Sequence, residues 1–106
     1  MTPKDILNKA ADWLEENAWC QNSLCRRGGI SFNRIVPDAE RCCLNGAIYM
    51  ASGLDLGRTK KNQIAAISQA FDLVEKSLGT RNPARWNDTK GRTKQEVIAA
   101  LRKAAK

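Results

Sequence analysis

Histidine is missing from the 106-residue chain. Its absence removes the side chain most often used as a general base near neutral pH and most often found ligating transition metals. Aromatic residues are few, at 6%. No run of roughly 18 consecutive apolar residues occurs, so no membrane-spanning helix is expected. The opening residues, Met1-Thr2-Pro3-Lys4-Asp5, lack the apolar stretch of a secretory leader. Internal repeats, low-complexity tracts and linkers are also absent. At 42% apolar and 27% charged residues, the composition excludes disorder of the whole chain. One domain over residues 1–106, large enough to bury a core, is the expectation.

What is abundant is positive charge, and it is unevenly placed. The net charge is +7. Residues 1–54 carry six basic and six acidic side chains, so the excess belongs to residues 55–106, with twelve basic against five acidic. The last 26 residues hold eight basic groups against Asp88 and Glu96. Such asymmetry points to an anionic partner: nucleic acid, a nucleotide or an acidic protein. The competing reading is a solvated basic surface that keeps the protein soluble.

All four cysteines, Cys20, Cys25, Cys42 and Cys43, fall in the neutral half. Neighbouring residues on a helix point about 100° apart, so Cys42 and Cys43 are poorly placed to share one metal. Neither a metal nor another cofactor is expected. Without a secretory leader a disulfide framework is not expected either. Free cysteines of this kind usually behave as small buried hydrophobes. Cys20, beside Trp19, is the best-placed reactive thiol, yet no histidine is available to activate it.

Along the chain, Thr2-Pro3-Lys4-Asp5 is a helix start, with a capping Thr, Pro at the first helical position and an acid three residues on. Apolar residues at 6, 7, 10, 13 and 14 continue the helical period to about residue 17. The Gly28-Gly29 pair between Trp19-Cys20-Gln21 and Ile30-Ser31-Phe32 predicts a short hairpin. Pro37-Asp38-Ala39-Glu40 reads as the start of a second helix. That helix runs through the apolar stretch from Cys42 to Ala51 and closes at Ser52-Gly53. Ile64, Ile67, Phe71, Val74 and Leu78 form the stripe of a third helix, ended by Gly79. Residues 84–87 suit a single helical turn. Thr93-Lys94-Gln95-Glu96 is a capping box opening the last helix. The expected architecture is therefore mostly α: a compact four-helix arrangement with a short β-hairpin-like insertion between the first and second helices.

Trp19-Cys20-Gln21, Cys43-Leu44-Asn45-Gly46-Ala47-Ile48 and Trp86-Asn87-Asp88 followed by Gly91-Arg92-Thr93-Lys94-Gln95-Glu96-Val97 resemble, in order and spacing, a family of small bacterial and bacteriophage proteins of unknown function. Members look like W-x-Q-G, C-x-x-G-A-[IL] and W-N-D with an R-T-x-x-E-V helix start. This chain has Asn22 where the family tends to have Gly. The resemblance covers most of the chain and implies a cytoplasmic, phage- or prophage-associated accessory protein, with no activity attached.

Two function classes lead. One is a non-enzymatic protein that binds an anionic partner, a nucleic acid, nucleotide signal or acidic host-defence protein, through the basic half. Its candidate contacts are Lys60, Lys61, Arg81, Arg85, Trp86, Asn87, Asp88, Lys90, Arg92 and Lys94, with Trp86 stacking a base. Lys60 and Lys61 would act beside a helix N-terminus, unless Asn62 caps that helix and both lysines sit in the loop before it. The other class is a protein–protein module or homodimer with a solvated basic surface. A small enzyme using Cys20 or the Asp88 carboxylate is the weakest reading, and no residue is assigned a catalytic role. For the W-N-D segment a packing role competes with a binding one: Trp86 would anchor the last loop while Asn87 and Asp88 satisfy backbone groups.

Overall fold

A computed structural model describes residues 1–53 and 61–106. Among these, five helices and four short strands follow one another as α1 (Pro3–Glu16), β1 (Ala18–Trp19), β2 (Cys25–Arg27), β3 (Ile30–Phe32), β4 (Arg41–Cys42), α2 (Leu44–Ser52), α3 (Lys61–Leu78), α4 (Pro83–Asn87) and α5 (Lys94–Ala104). The strands form one mixed sheet in the order β1-β4-β2-β3, with β1 parallel to β4 and the other pairs antiparallel. The architecture is α+β. This overturns the expected mostly-α, four-helix arrangement with only a hairpin-like insertion.

The error lies at residues 37–42. Pro37 and the two acids after it do not open a helix. Instead Asp38 pairs with Arg27, and Glu40 Oε1 accepts from the Gly28 amide at 3.2 Å. The backbone of Glu40 donates to Arg26 O, and its carbonyl accepts from Ala18 N. The acids therefore serve the hairpin turn and the sheet rather than a helix dipole. Helix α2 begins seven residues later than the Pro37 signal suggests, with the Cys43 thiol as its cap, accepting from Gly46 N at 3.4 Å. Gly28 and Gly29, at φ 57° and 80°, make the two-residue turn that joins Arg27 to Ile30.

Helices α1 and α5 start as their sequences predict, whereas Lys61 and Asn62 already lie within α3, so Asn62 is not the cap of that helix. Thr2 with Asp5, and Thr93 with Glu96, form reciprocal capping boxes. Helices α1, α2, α3 and α5 pack around Ile6, Leu7, Leu14, Leu44, Ile48, Val74, Val97 and Leu101, all at 2% exposure or less. In α3 the predicted stripe buries Ile67 and Val74, whereas Ile64 is 54% exposed. A second, smaller cluster of Cys25, Val36, Ala39 and Cys42 lies against the sheet. All four cysteines are free and buried, as expected of small hydrophobes.

The α5 capping box carries a pH signature. A hydrogen bond from the Arg92 guanidinium, together with those from Thr93, holds the Glu96 carboxyl below its ordinary value of 4.5. A depressed carboxylate contributes stability that is complete above its unfolded value and lost as pH falls through its folded value. Urea titrations from about pH 6 down to about pH 3 are therefore expected to show a shallower acid loss for Glu96→Gln than for the parent. Parallel acid limbs would contradict this.

Candidate functional site

The short helix α4 carries the W-N-D segment and places Asn87 at its C-terminal end. Asn82 caps it through Arg85 N at 3.0 Å, and Pro83 stands in its first turn. Asn87 has no exposed surface, and its amide is fully occupied. Its Oδ1 accepts from Trp19 Nε1 at 2.7 Å and from Leu44 N at 3.0 Å. Its Nδ2 donates to Cys20 O at 3.2 Å and to Asp88 Oδ1 at 2.9 Å. An amide offers two acceptor and two donor positions, so nothing of Asn87 is left for a ligand.

Neighbouring bonds widen this knot. Gln21 Nε2 donates to Asn87 O and Thr89 O, both at 3.0 Å. Asp88 Oδ1 also accepts from Asn22 N at 2.9 Å. Asn22 sits at φ 64°, a left-handed conformation that suits Gly and, among side-chain-bearing residues, Asn. Three stretches far apart in sequence, at 19–22, 43–46 and 87–89, are thus tied by polar contacts. Gly46 completes the join by close approach: a Cβ there would lie 2.2 Å from Leu24 O.

Beside the knot, a solvent-open depression of about 470 Å³ is lined by Asn22, Ser23, Asn33, Cys43, Asn45 and Asp88, with Leu24 and Ala84 between them. Asn45 Oδ1 at this depression is buried and has no hydrogen-bond partner among the described residues. The sequence gives no warning of Asn45 or Asn33, since a lone Asn has many ordinary uses.

The basic candidates divide into two groups. Arg92 lays its guanidinium 3.9 Å from the centre of the Trp86 ring, bonds Trp86 O through Nε and pairs with Glu96 at 3.0 Å. Trp86 therefore has one face covered, and it packs against the main core. Lys94 Nζ donates to Asn17 O at 2.8 Å. That closes the end of α1, whose last turn has no basic residue of its own. Arg81, Arg85 and Lys90 are instead exposed, and none of them forms an ion pair among the described residues. Lys61 is exposed at the start of α3, and Lys60 lies outside the described residues.

Cys20 is poorly suited to nucleophilic chemistry. It is 7% exposed, its thiol donates to Ser23 O, and burial pushes its pKa up to about 12. Burial likewise raises Cys43, against opposing hydrogen bonds from the Gly46 and Asn45 amides. No helix among the described residues is long and apolar enough to cross a membrane.

A family model described as "Family of unknown function (DUF6197)" matches residues 1–106. No curated protein and no solved structure matches the chain.

Proposed function

The chain belongs to the family of unknown function DUF6197, and from that premise we propose that it is a non-enzymatic accessory protein, of the kind phages and prophages carry, that binds a nucleic acid. The observation that carries this reading is the state of Arg81, Arg85 and Lys90. They stand within ten residues, exposed and without ion pairs among the described residues. The one acid in their stretch, Asp88, already accepts from Asn22 N and Asn87 Nδ2. Uncompensated cations on a rigid segment are what a phosphate backbone requires.

Rigidity comes from the knot beneath. Asn87 fixes the end of α4, and Gln21 holds Thr89 O, so Arg85 and Lys90 flank an anchored turn. Trp86 contributes packing to this reading rather than base stacking, because Arg92 covers one face of its ring. Binding without chemistry also suits the raised Cys20 thiol.

Fluorescence anisotropy with a labelled duplex oligonucleotide, titrated at several salt concentrations, tests the proposal. Affinity is expected to fall steeply with salt. The triple substitution Arg81→Ala, Arg85→Ala, Lys90→Ala is expected to reduce the log–log slope by about 1 per lost phosphate contact. Binding that ignores salt, or a triple variant that binds as tightly as the parent, would sink the reading.

A further inference from the structure

The second core cluster contains a feature that nucleic-acid binding does not use. Cys25 on β2 and Cys42 on β4 are directly opposite each other in antiparallel register. The neighbouring pair is joined by the bond from Cys43 N to Leu24 O at 3.1 Å. Cys25 and Cys42 therefore occupy a non-hydrogen-bonded position, where the two backbones and side chains approach most closely. Their Cα separation at such a position, about 4.5 Å, falls at the near end of the span a disulfide bridges. The two Sγ atoms are 3.0 Å apart, and both residues are fully buried.

From this geometry we propose that Cys25 and Cys42 are a modification site: a cross-strand dithiol that hydrogen peroxide oxidises to a disulfide within the folded protein. The Cys25 thiolate attacks one peroxide oxygen, breaking the O–O bond and releasing hydroxide, which leaves a sulfenic acid on Cys25. The Cys42 sulfur, giving up its proton, then attacks the Cys25 sulfur, forming the S–S bond and expelling the sulfenic oxygen as water. In sum two thiols and one peroxide give one disulfide and two waters, with two electrons passing from sulfur to oxygen.

The pair divides these roles. A hydrogen bond from the Cys42 thiol favours the thiolate of Cys25, and the same bond raises Cys42. Cys20 and Cys43 have no such partner: the Cys20 thiol meets Ser23 O, and the Cys43 sulfur meets Gly46 N. Burial makes entry of the oxidant the slow step. Peroxide, little larger than water, can reach the pair through local opening of the segment that carries Val36 and Ala39, both packed in the same cluster. Once Cys25 is oxidised its resolving partner is already in contact, so the sulfenic acid is consumed as it forms.

Disulfide closure would fasten β4 immediately before Cys43, the cap of α2. It would therefore stiffen one wall of the polar knot without touching Arg81, Arg85 or Lys90.

The test uses the wild-type protein, incubated with millimolar hydrogen peroxide in the absence of denaturant. The protein is then unfolded, alkylated with N-ethylmaleimide and digested with trypsin for fragment-ion mass spectrometry. The expected result is a loss of 2 Da from the intact protein, with alkylation confined to Cys20 and Cys43. Cys25→Ser, treated identically, is expected to show no such loss. The closed protein is expected to melt about 10–20 °C above the reduced one, since a loop is tied in the unfolded chain. An unchanged mass, a bridge that includes Cys20 or Cys43, or a 2 Da loss that persists in Cys25→Ser would overturn the proposal. None of these outcomes depends on whether the chain binds nucleic acid.

Discussion

Asn87→Ala is expected to destabilise the protein by about 3–5 kcal/mol, read as a lower urea midpoint at unchanged m-value. The substitution removes both oxygen and nitrogen of an amide with no exposed surface. It leaves the Trp19 indole N–H, the Leu44 amide and the Cys20 carbonyl without their partner. Each group that stays dry and unpaired costs about 1–3 kcal/mol. Water entering the vacated space would recover part of this, which keeps the total below the simple sum. Asn87→Asp separates hydrogen bonding from shape. The substituted carboxylate can still accept from Trp19 and Leu44, but it cannot donate to Cys20 O and it faces the Asp88 carboxylate. Burial and like charge both raise the pKa of the new group. A raised folded-state value means the neutral form is favoured, so the variant should recover part of its deficit as pH drops below neutrality. A loss under about 1 kcal/mol for Asn87→Ala would mean that the knot contributes little to the fold.

The same residue shows how far the sequence can be read. Trp86-Asn87-Asp88 was visible as a motif, yet its chemistry depends on Trp19, Cys20, Gln21 and Leu44, which are more than 40 positions away. Local pattern cannot distinguish an Asn that offers its amide to a ligand from one that spends it on four internal bonds. The helices with capping boxes were legible because both halves of each box lie within four residues. The Gly28-Gly29 turn was legible for the same reason. Residues 37–42 were not, because Pro followed by acids suits a helix start and a turn equally well. What decided between them was distant: Arg27, the Gly28 amide and the open edge of β1. Only the sheet, which forms over residues 18–42 as a whole, carries that information. The basic half was legible as charge but not as surface. Lys94 and Arg92 look like their neighbours in sequence, and they differ only because Asn17 O and the Trp86 ring lie within their reach.

Gly46→Ala is the second substitution with a large expected effect, and two physical arguments give it opposite signs. Helix propensity alone makes Ala better than Gly inside a helix by about 1 kcal/mol, so the change should stabilise α2. Packing reverses this. The added Cβ would fall 2.2 Å from Leu24 O and 3.0 Å from Cys42 Cβ, where ordinary contact lies near 3.5–4 Å. Leu24 cannot retreat freely, because its carbonyl accepts from Cys43 N and its amide donates to Phe32 O, both at 3.1 Å. Relief requires α2 to move away from Leu24, just before β2, which stretches these bonds and the contact between Leu44 N and Asn87. Overpacking costs of about 1–3 kcal/mol combine with weakened hydrogen bonds, so a net loss of about 2–4 kcal/mol is expected despite the propensity gain. Gly53 provides the contrast. It caps α2 at φ 67°, and among the described residues nothing lies within 4 Å of where a Cβ would stand, so Gly53→Ala should cost only the left-handed penalty of about 1–2 kcal/mol. Thermal melts of the two variants should therefore place Gly46→Ala below Gly53→Ala. The reverse order, or a Gly46→Ala protein as stable as the parent, would show that α2 does not press on Leu24 as closely as these distances require.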